Sequence, residues 1–418
     1  MGSQDNDRPI AGIDVSRRAL LQGAALLAAA APLASLANSD GDSDGEDRPG
    51  VTLLTYISSY TPNGQGIALY GMNGATGKLT FIKLAAASAV SPSWMTLHPL
   101  GKFLYTTNET ANFNGTTNGS VSAYAVNRAT GDLTLLNTVS SQGGGPVYVS
   151  VDPLGQFAFV ANYTGGTVAV LPILADGSLG DATDVKADVG SVGPQHATNG
   201  PLGSFAVSGH DAPHAHMIQT DPSGKFVIHA DLGQDRLYTW QLQRAGGKLI
   251  AGSPGFVSLP PGDGPRHFAF HPNGRWLYCA QEEASTLTFF AYDPGTGLLT
   301  EQQTVSTLAK DFTGTSFASE VRVSANGRFV YAANRLGDSI AIFTVDADTG
   351  VLRRVCEEST RGDYPRSFTI DPTGRFLLSC NQRSDAVTTF RIEDGGGRLT
   401  FTGQYAAVGS PACVLFLA

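Results

Sequence analysis

The sequence predicts an all-β chain folded as a seven-bladed β-propeller, on three observations. A turn-and-strand phrase recurs seven times at intervals of roughly 50 residues, a spacing that suits four-stranded blades. Each interval repeats one order of short apolar strands separated by Gly, Asp, Asn and Pro turns. The composition agrees: 50 Gly and 22 Pro with 15% charged and 42% hydrophobic residues describe a turn-rich folded chain, neither a helical bundle nor a disordered one.

The recurring phrases are TGKLT (76–80), TGDLT (130–134), DGSLG (176–180), GGKLI (246–250), TGLLT (296–300), TGVLR (349–353) and GGRLT (396–400). Before each but the first, a first strand runs to a turn such as HPNG or DPTG. A second strand follows, as in GRFVYAAN, then a third, as in SIAIFTV, and the phrase itself opens the last strand. Seven first strands can be counted, and the seventh, SPACVLFLA, has nothing after it. The stretch from Val51 to TGKLT has three strands and no first strand. The ring is therefore predicted to close by pairing 414–417 with 51–56, since an open joint would leave raw strand edges.

Residues 1–37 are set apart from the fold. Ser16-Arg17-Arg18-Ala19-Leu20-Leu21 has the form of a twin-arginine export signal, an Ala/Leu-rich stretch follows, and Ser35-Leu36-Ala37 offers small residues for cleavage. The alternative is an uncleaved membrane anchor. Residues 38–50, polar and acidic, read as a flexible linker, and 51–418 as the propeller. The expected route is the twin-arginine translocase, and the expected location periplasmic or secreted. A net charge of −9 gives no basic footprint, so nucleic acid is not expected as a partner. The expected state is a monomer. Cys279, Cys356, Cys380 and Cys413 have no metal-ligand spacing and read as small core residues.

Laying the repeats over one another separates scaffold from site. Seven residues after each turn glycine stand Asn108, Asn162, Asp231, Gln281, Asn334 and Asn381, alike in every blade and so expected to bond backbone. One residue further stand Glu109, Tyr163, Leu232, Glu282, Arg335 and Gln382, where the blades disagree and half carry charge. Eight residues before the glycine stand Ser93, Val147, His216, Arg266, Ser319 and Arg366, with Ala412 in the closing blade. First strands line a propeller's channel, so these side chains converge. Arg266, Arg366 and His216 beside Glu282, Glu109 and Arg335 form a charged funnel at one mouth, or else salt bridges that merely plug it. His214 lies near the same mouth, while strand alternation turns His267 away from Arg266.

Taken together, PHAH (213–216), DLGQD (231–235), GPRH (264–267), SEVRVSANGRFVYAANR (319–335) and YPRSFTIDPTG (364–374) resemble the seven-bladed lactonase family. That family includes the propeller type of 6-phosphogluconolactonase and the fungal carboxymuconate lactonizing enzyme. The resemblance runs over nearly all of 51–418 and implies a lactone-ring hydrolase or cyclase with a small-molecule lactone as partner and no cofactor or metal. It also implies a catalytic set of one His, two Arg and one Glu. By motif these are Arg266, Glu282 and Arg335, with the His in PHAH; the repeat register favours His216 over His214. Glu109, Arg366, His214, Asp231, His267 and Glu320 complete the candidate substrate-binding residues.

These residue types suit ester hydrolysis. Fixed guanidinium charges stabilise a tetrahedral oxyanion, and His216 or Glu282 can take a proton from water. No GxSxG elbow calls for a covalent nucleophile. The approach to PHAH reads SGHDAPHAH, without the Arg-Gln pair of many 6-phosphogluconolactonases. A Gly-rich insertion, about residues 180 to 212, precedes it and offers a lid. Both the missing Arg and export favour an unphosphorylated sugar lactone. The alternatives are a muconate-type cycloisomerase, a non-catalytic binding propeller, and a calcium-dependent lactonase using oxygens such as Glu109, Asp231 and Glu282.

Overall fold

The repeated phrases become separate sheets because no single blade can bury both of its faces alone; each does so against its two neighbours. In a computed structural model describing residues 51–206 and 209–417, seven four-stranded antiparallel sheets are arranged as blades of one propeller. Blade 1 places Pro411–Phe416 innermost and then Thr52–Ser59, Gly66–Asn73 and Leu79–Ala86. Blades 2 to 7 begin innermost with Pro92–Leu97, Pro146–Val151, Ala215–Thr220, Pro265–Phe270, Ala318–Val323 and Pro365–Ile370, and each continues outward in chain order. The expected signal segment and linker, 1–50, lie outside the described residues.

The expected closure is present with a shifted register. Cys413 to Phe416 pair with Ser58 back to Thr55, and Pro411 with Ser59. Leu54 still accepts the backbone N–H of Leu417 at 2.8 Å, while Thr52 and Leu53 extend past the closing strand and pair with Asn73 and Met72 on their other side.

Burial follows position in the blade. The second strand Phe157–Asn162 of blade 3 is buried at every residue, whereas the outermost strand Lys248–Ser258 of blade 4 alternates. A strand covered on both faces reads as a continuous run of apolar or small residues, and a rim strand as an alternation. Cys279, Cys380 and Cys413 are buried and Cys356 half-buried, all as free thiols.

A polar clasp ties blade to blade. The hydroxyls of Tyr56, Tyr105, Tyr278 and Tyr331 donate to the carbonyls of Gly131, Gly177, Gly350 and Gly397, the glycines of the next blade's recurring phrase, at 2.8–3.0 Å. The glycine is required on two counts. Gly350 has a φ of +79°, and a Cβ there would stand 2.5 Å from the Phe289 ring.

The seven ladders share one irregularity. In all seven blades the pairing between the innermost strand and its neighbour slips at one place, beside Ala412, Ser93, Val147, His216, Arg266, Ser319 and Arg366. A bulge leaves its extra residue unpaired and re-aims its side chain. The propeller thus carries a ring of bulges at one mouth of its channel.

Candidate active site

A second ring faces the first. The backbone N–H of Tyr60, Glu109, Tyr163, Leu232, Glu282, Arg335 and Gln382 donates to the carbonyl of Ser410, Ser91, Gly145, His214, Gly264, Phe317 and Tyr364 respectively, at 2.7–3.1 Å. These bonds fasten the variable strand-end residue of each blade beside its bulge. Whatever side chain the sequence puts there is held at the mouth by a bond that does not depend on it.

Blade 5 supplies Arg266 from the bulge and Glu282 from the strand end. Glu282 Oε2 lies 2.7 Å from Nε of Arg266 and 2.6 Å from Nη2 of Arg335, which comes from blade 6. Arg266 Nη1 also donates to the Ser319 carbonyl. Arg335 is sandwiched between the rings of Phe317 and Tyr364, its guanidinium carbon 5.3 Å from each centroid, and donates to Tyr364 Oη at 3.3 Å. Tyr364 holds a φ of +63°, a conformation uncommon for a bulky residue. Gly264 also has positive φ, +71°, and a Cβ there would meet Glu283 Oε2 at 1.9 Å.

The electrostatics are those of a buried, mutually compensated cluster. Burial alone would raise the Glu282 carboxyl, but Arg335 and Arg266 outweigh it and hold it below its ordinary value. Burial would lower Arg335, yet the Glu282 carboxylate raises it. Arg266 is pulled down to about 9, by burial first and then by the like charge of Arg335, and so remains a cation at neutral pH. Its Nη2 has no hydrogen-bond partner among the described residues.

Blade 7 adds Arg366, fully buried, whose Nη2 donates to Tyr60 Oη at 2.6 Å; that hydroxyl donates in turn to Glu109 Oε2 at 2.6 Å. Arg366 and Glu109 are themselves 3.9 Å apart. Tyr60 was not among the sequence candidates because blade 1 has no turn glycine from which to count. Its place in the second ring is recoverable from strand pairing, since Ser59 pairs with Pro411 as Asn108 pairs with Pro92.

The two histidines of PHAH have different surroundings. His214 faces acceptors on both sides, the Tyr163 carbonyl at Nδ1 and Asp211 at Nε2, each at 2.8 Å, and its ring stacks on Tyr163. His216 is fully buried, and neither ring nitrogen has a hydrogen-bond partner among the described residues. Burial, with the neighbouring charge of Arg266, pushes its pKa well below the usual histidine value and keeps the ring neutral.

One expectation about orientation needs revision. Strand alternation turned His267 away from Arg266, but the bulge between them reverses the alternation. His267 faces the channel one layer below the mouth, its ring edge-on to Trp94, Tyr148 and His216. Glu320 lies in the same layer, 3.4 Å from His267 Nδ1 and 3.4 Å from Arg322 Nε. Asp231 is turned to the scaffold: Oδ1 accepts the backbone N–H of His214 and of Gln234. Burial and the nearby Asp188 push its carboxyl up.

The insertion packs over the loops on the mouth side of three blades. Gly193 donates to the Gly233 carbonyl, Phe205 to Thr315 Oγ1, and Gly314 to the Leu202 carbonyl, each at 2.8 Å. Among the described residues no three His, Cys, Asp or Glu side chains gather to hold a metal ion. The carboxylate best placed to serve as a ligand, Glu282, already sits between two guanidiniums.

The family model described as "Lactonase, 7-bladed beta-propeller" matches residues 54–416. The chain belongs to the seven-bladed β-propeller lactonase family. It is 35% identical to the 6-phosphogluconolactonase of Bacillus subtilis over 365 residues, 87% of this chain and 98% of that one. A 6-phosphogluconolactonase of Formosa agariphila is 27% identical over 324 residues, 76% of this chain and 86% of that one. Among solved lactonase structures, the periplasmic gluconolactonase of Pseudomonas aeruginosa superposes with a TM-score of 0.78 at 31% identity, covering 88% of this chain and 99% of that one.

Proposed function

We propose that this lactonase hydrolyses an unphosphorylated sugar lactone at the bulge-lined mouth, without a metal ion. His216 takes a proton from the attacking water, Arg266 and Arg335 receive the oxyanion, and Glu282 keeps the two guanidiniums fixed. The observation that carries this reading is the contrast between Glu282 and His216. Glu282 is committed to two cations and held anionic, a poor base; His216 is neutral with both ring nitrogens uncommitted. Preorganised positive charge in a dry site costs no reorganisation as negative charge develops on the carbonyl oxygen, and losing one such donor slows acyl transfer by about 10²–10³-fold.

Similarity to a periplasmic gluconolactonase supports both the neutral sugar and an exported location. So do the twin-arginine pattern at 16–21 and the missing Arg before PHAH. The signal would be cleaved after Ala37.

The test is proton release from glucono-δ-lactone and from its 6-phosphate, above the spontaneous rate, with and without EDTA, for wild type and Arg266→Ala. EDTA-resistant hydrolysis lost in the variant, with the neutral lactone preferred, is the expected result. Faster turnover of the phosphate overturns the substrate preference. Hydrolysis of neither lactone overturns the hydrolase reading in favour of a cycloisomerase or a binding propeller.

A further inference from the structure

Ring opening of a lactone expels an alkoxide, and His216, once it has accepted the water proton, has no partner assigned to protonate that oxygen. We propose that Glu109 is the general acid of this site and delivers the proton to the departing ring oxygen. This rests on the lactonase reading and adds a residue to it.

Glu109 and Glu282 occupy the same strand-end position in blades 2 and 5, fastened by the same backbone bond, yet their partners differ in kind. Glu282 takes two guanidiniums directly, at 2.6 and 2.7 Å. Glu109 takes a neutral hydroxyl, Tyr60 Oη at 2.6 Å, which stands between it and Arg366. Its side chain is also the more exposed of the two, 11% against 6%.

The groups facing Glu109 come from four other segments of the chain. They are Tyr60 of blade 1, Ser93 of blade 2, Arg266 of blade 5 and Arg366 of blade 7. All four favour the ionised form, but burial outweighs them and raises the carboxyl to about 7. Two titratable groups driven apart by their surroundings mark an acid and a base: a carboxyl that stays protonated to neutrality and an imidazole that stays neutral below it.

The step balances. Water bonds to the carbonyl carbon as His216 takes its proton. The tetrahedral oxyanion collapses, the ring C–O bond breaks, and the departing oxygen takes the proton of Glu109. The imidazolium of His216 then returns a proton to the Glu109 carboxylate, directly or through solvent. The product is a hydroxy acid.

The experiment is the pH profile of kcat/KM on glucono-δ-lactone for wild type, Glu109→Gln and Tyr60→Phe, with dihydrocoumarin as a second lactone whose leaving group is a phenolate. Wild-type activity is expected to fall as pH rises through about 7, where Glu109 ionises. Glu109→Gln is expected to lose about 10²–10⁴-fold on glucono-δ-lactone, much less on dihydrocoumarin, and to show no descending limb. Tyr60→Phe removes a hydrogen bond that favours the carboxylate, so the limb moves to higher pH; this variant decides the matter should Glu109→Gln fail to fold. A descending limb that survives in Glu109→Gln, equal losses on both lactones, or an unmoved limb in Tyr60→Phe would overturn the proposal. A wild type that opens neither lactone would overturn the lactonase reading and the acid with it.

Discussion

Nε of Arg266 and Oε2 of Glu282 stand 2.7 Å apart, sixteen residues apart in one hairpin, with the arginine fully buried. The same oxygen holds Arg335 at 2.6 Å. Breaking a buried pair from one side strands the other charge, which typically costs about 3–5 kcal/mol. Glu282→Gln is therefore expected to lower the thermal midpoint and to abolish most turnover, read by calorimetry and by proton release. The held-down Glu282 carboxyl stabilises the fold in full above the unfolded glutamate value of about 4.3 and loses that contribution as pH falls through its folded value. Wild type should accordingly lose part of its advantage over the variant in strong acid. An unchanged difference between them at pH 7 and pH 3 would contradict this.

His216 and His214 should separate cleanly. His216→Ala removes a ring that has no hydrogen-bond partner among the described residues, packed edge-on to Tyr163 and His267, and should cost about 10²–10⁴ in kcat. His214→Ala removes two hydrogen bonds and a stacked ring, and should show mainly as lost stability. Rates and unfolding midpoints of the two variants, measured side by side, check the assignment.

On the acid side, the rate should hold below the ordinary histidine value of about 6.5, because burial and Arg266 keep the His216 ring neutral there. The decline belongs well below that pH. A kcat/KM profile that already halves near 6.5 would remove His216 from the role of base.

The blade clasps should be modest and separable from activity. Tyr331→Phe deletes the hydroxyl that donates to the Gly397 carbonyl at 2.9 Å and is expected to cost about 1 kcal/mol, seen in denaturant midpoints with kcat unchanged. The neighbouring change Gly397→Ala should cost more, since φ is +65° and a Cβ would stand 2.5 Å from the Phe329 ring.

Seven blades were legible in the sequence because their turns are spelled almost identically. Arg266, Glu282 and Arg335 stood out for the opposite reason: they put charge at positions where the blades disagree and the blade itself needs none. His267 was misplaced because alternation holds only where the ladder is regular, and the bulge at Arg266 is invisible to a count by twos. Asp231 looked available as a ligand but shares its position with Asn108 and Asn162, and like them spends its side chain on local hydrogen bonds. Tyr364 stands where the other blades carry Ser91, Gly145, His214, Gly264, Phe317 and Ser410, a repeat position with no common side chain to draw notice. It precedes the innermost strand of blade 7, and only the packed ring brings it onto Arg335.

The closing strand Pro411–Phe416 also orders events during synthesis. Its partner Thr52–Ser59 is made before six whole blades, and until the closing residues leave the ribosome blade 1 presents an unpaired edge. A nascent chain in that condition is open to pairing with its neighbours on a polysome. Completion of the mouth waits on the same moment, because Tyr60 is fastened by the carbonyl of Ser410. A translating ribosome therefore carries an unfinished ring and an unfinished site together, and both are completed by one late strand.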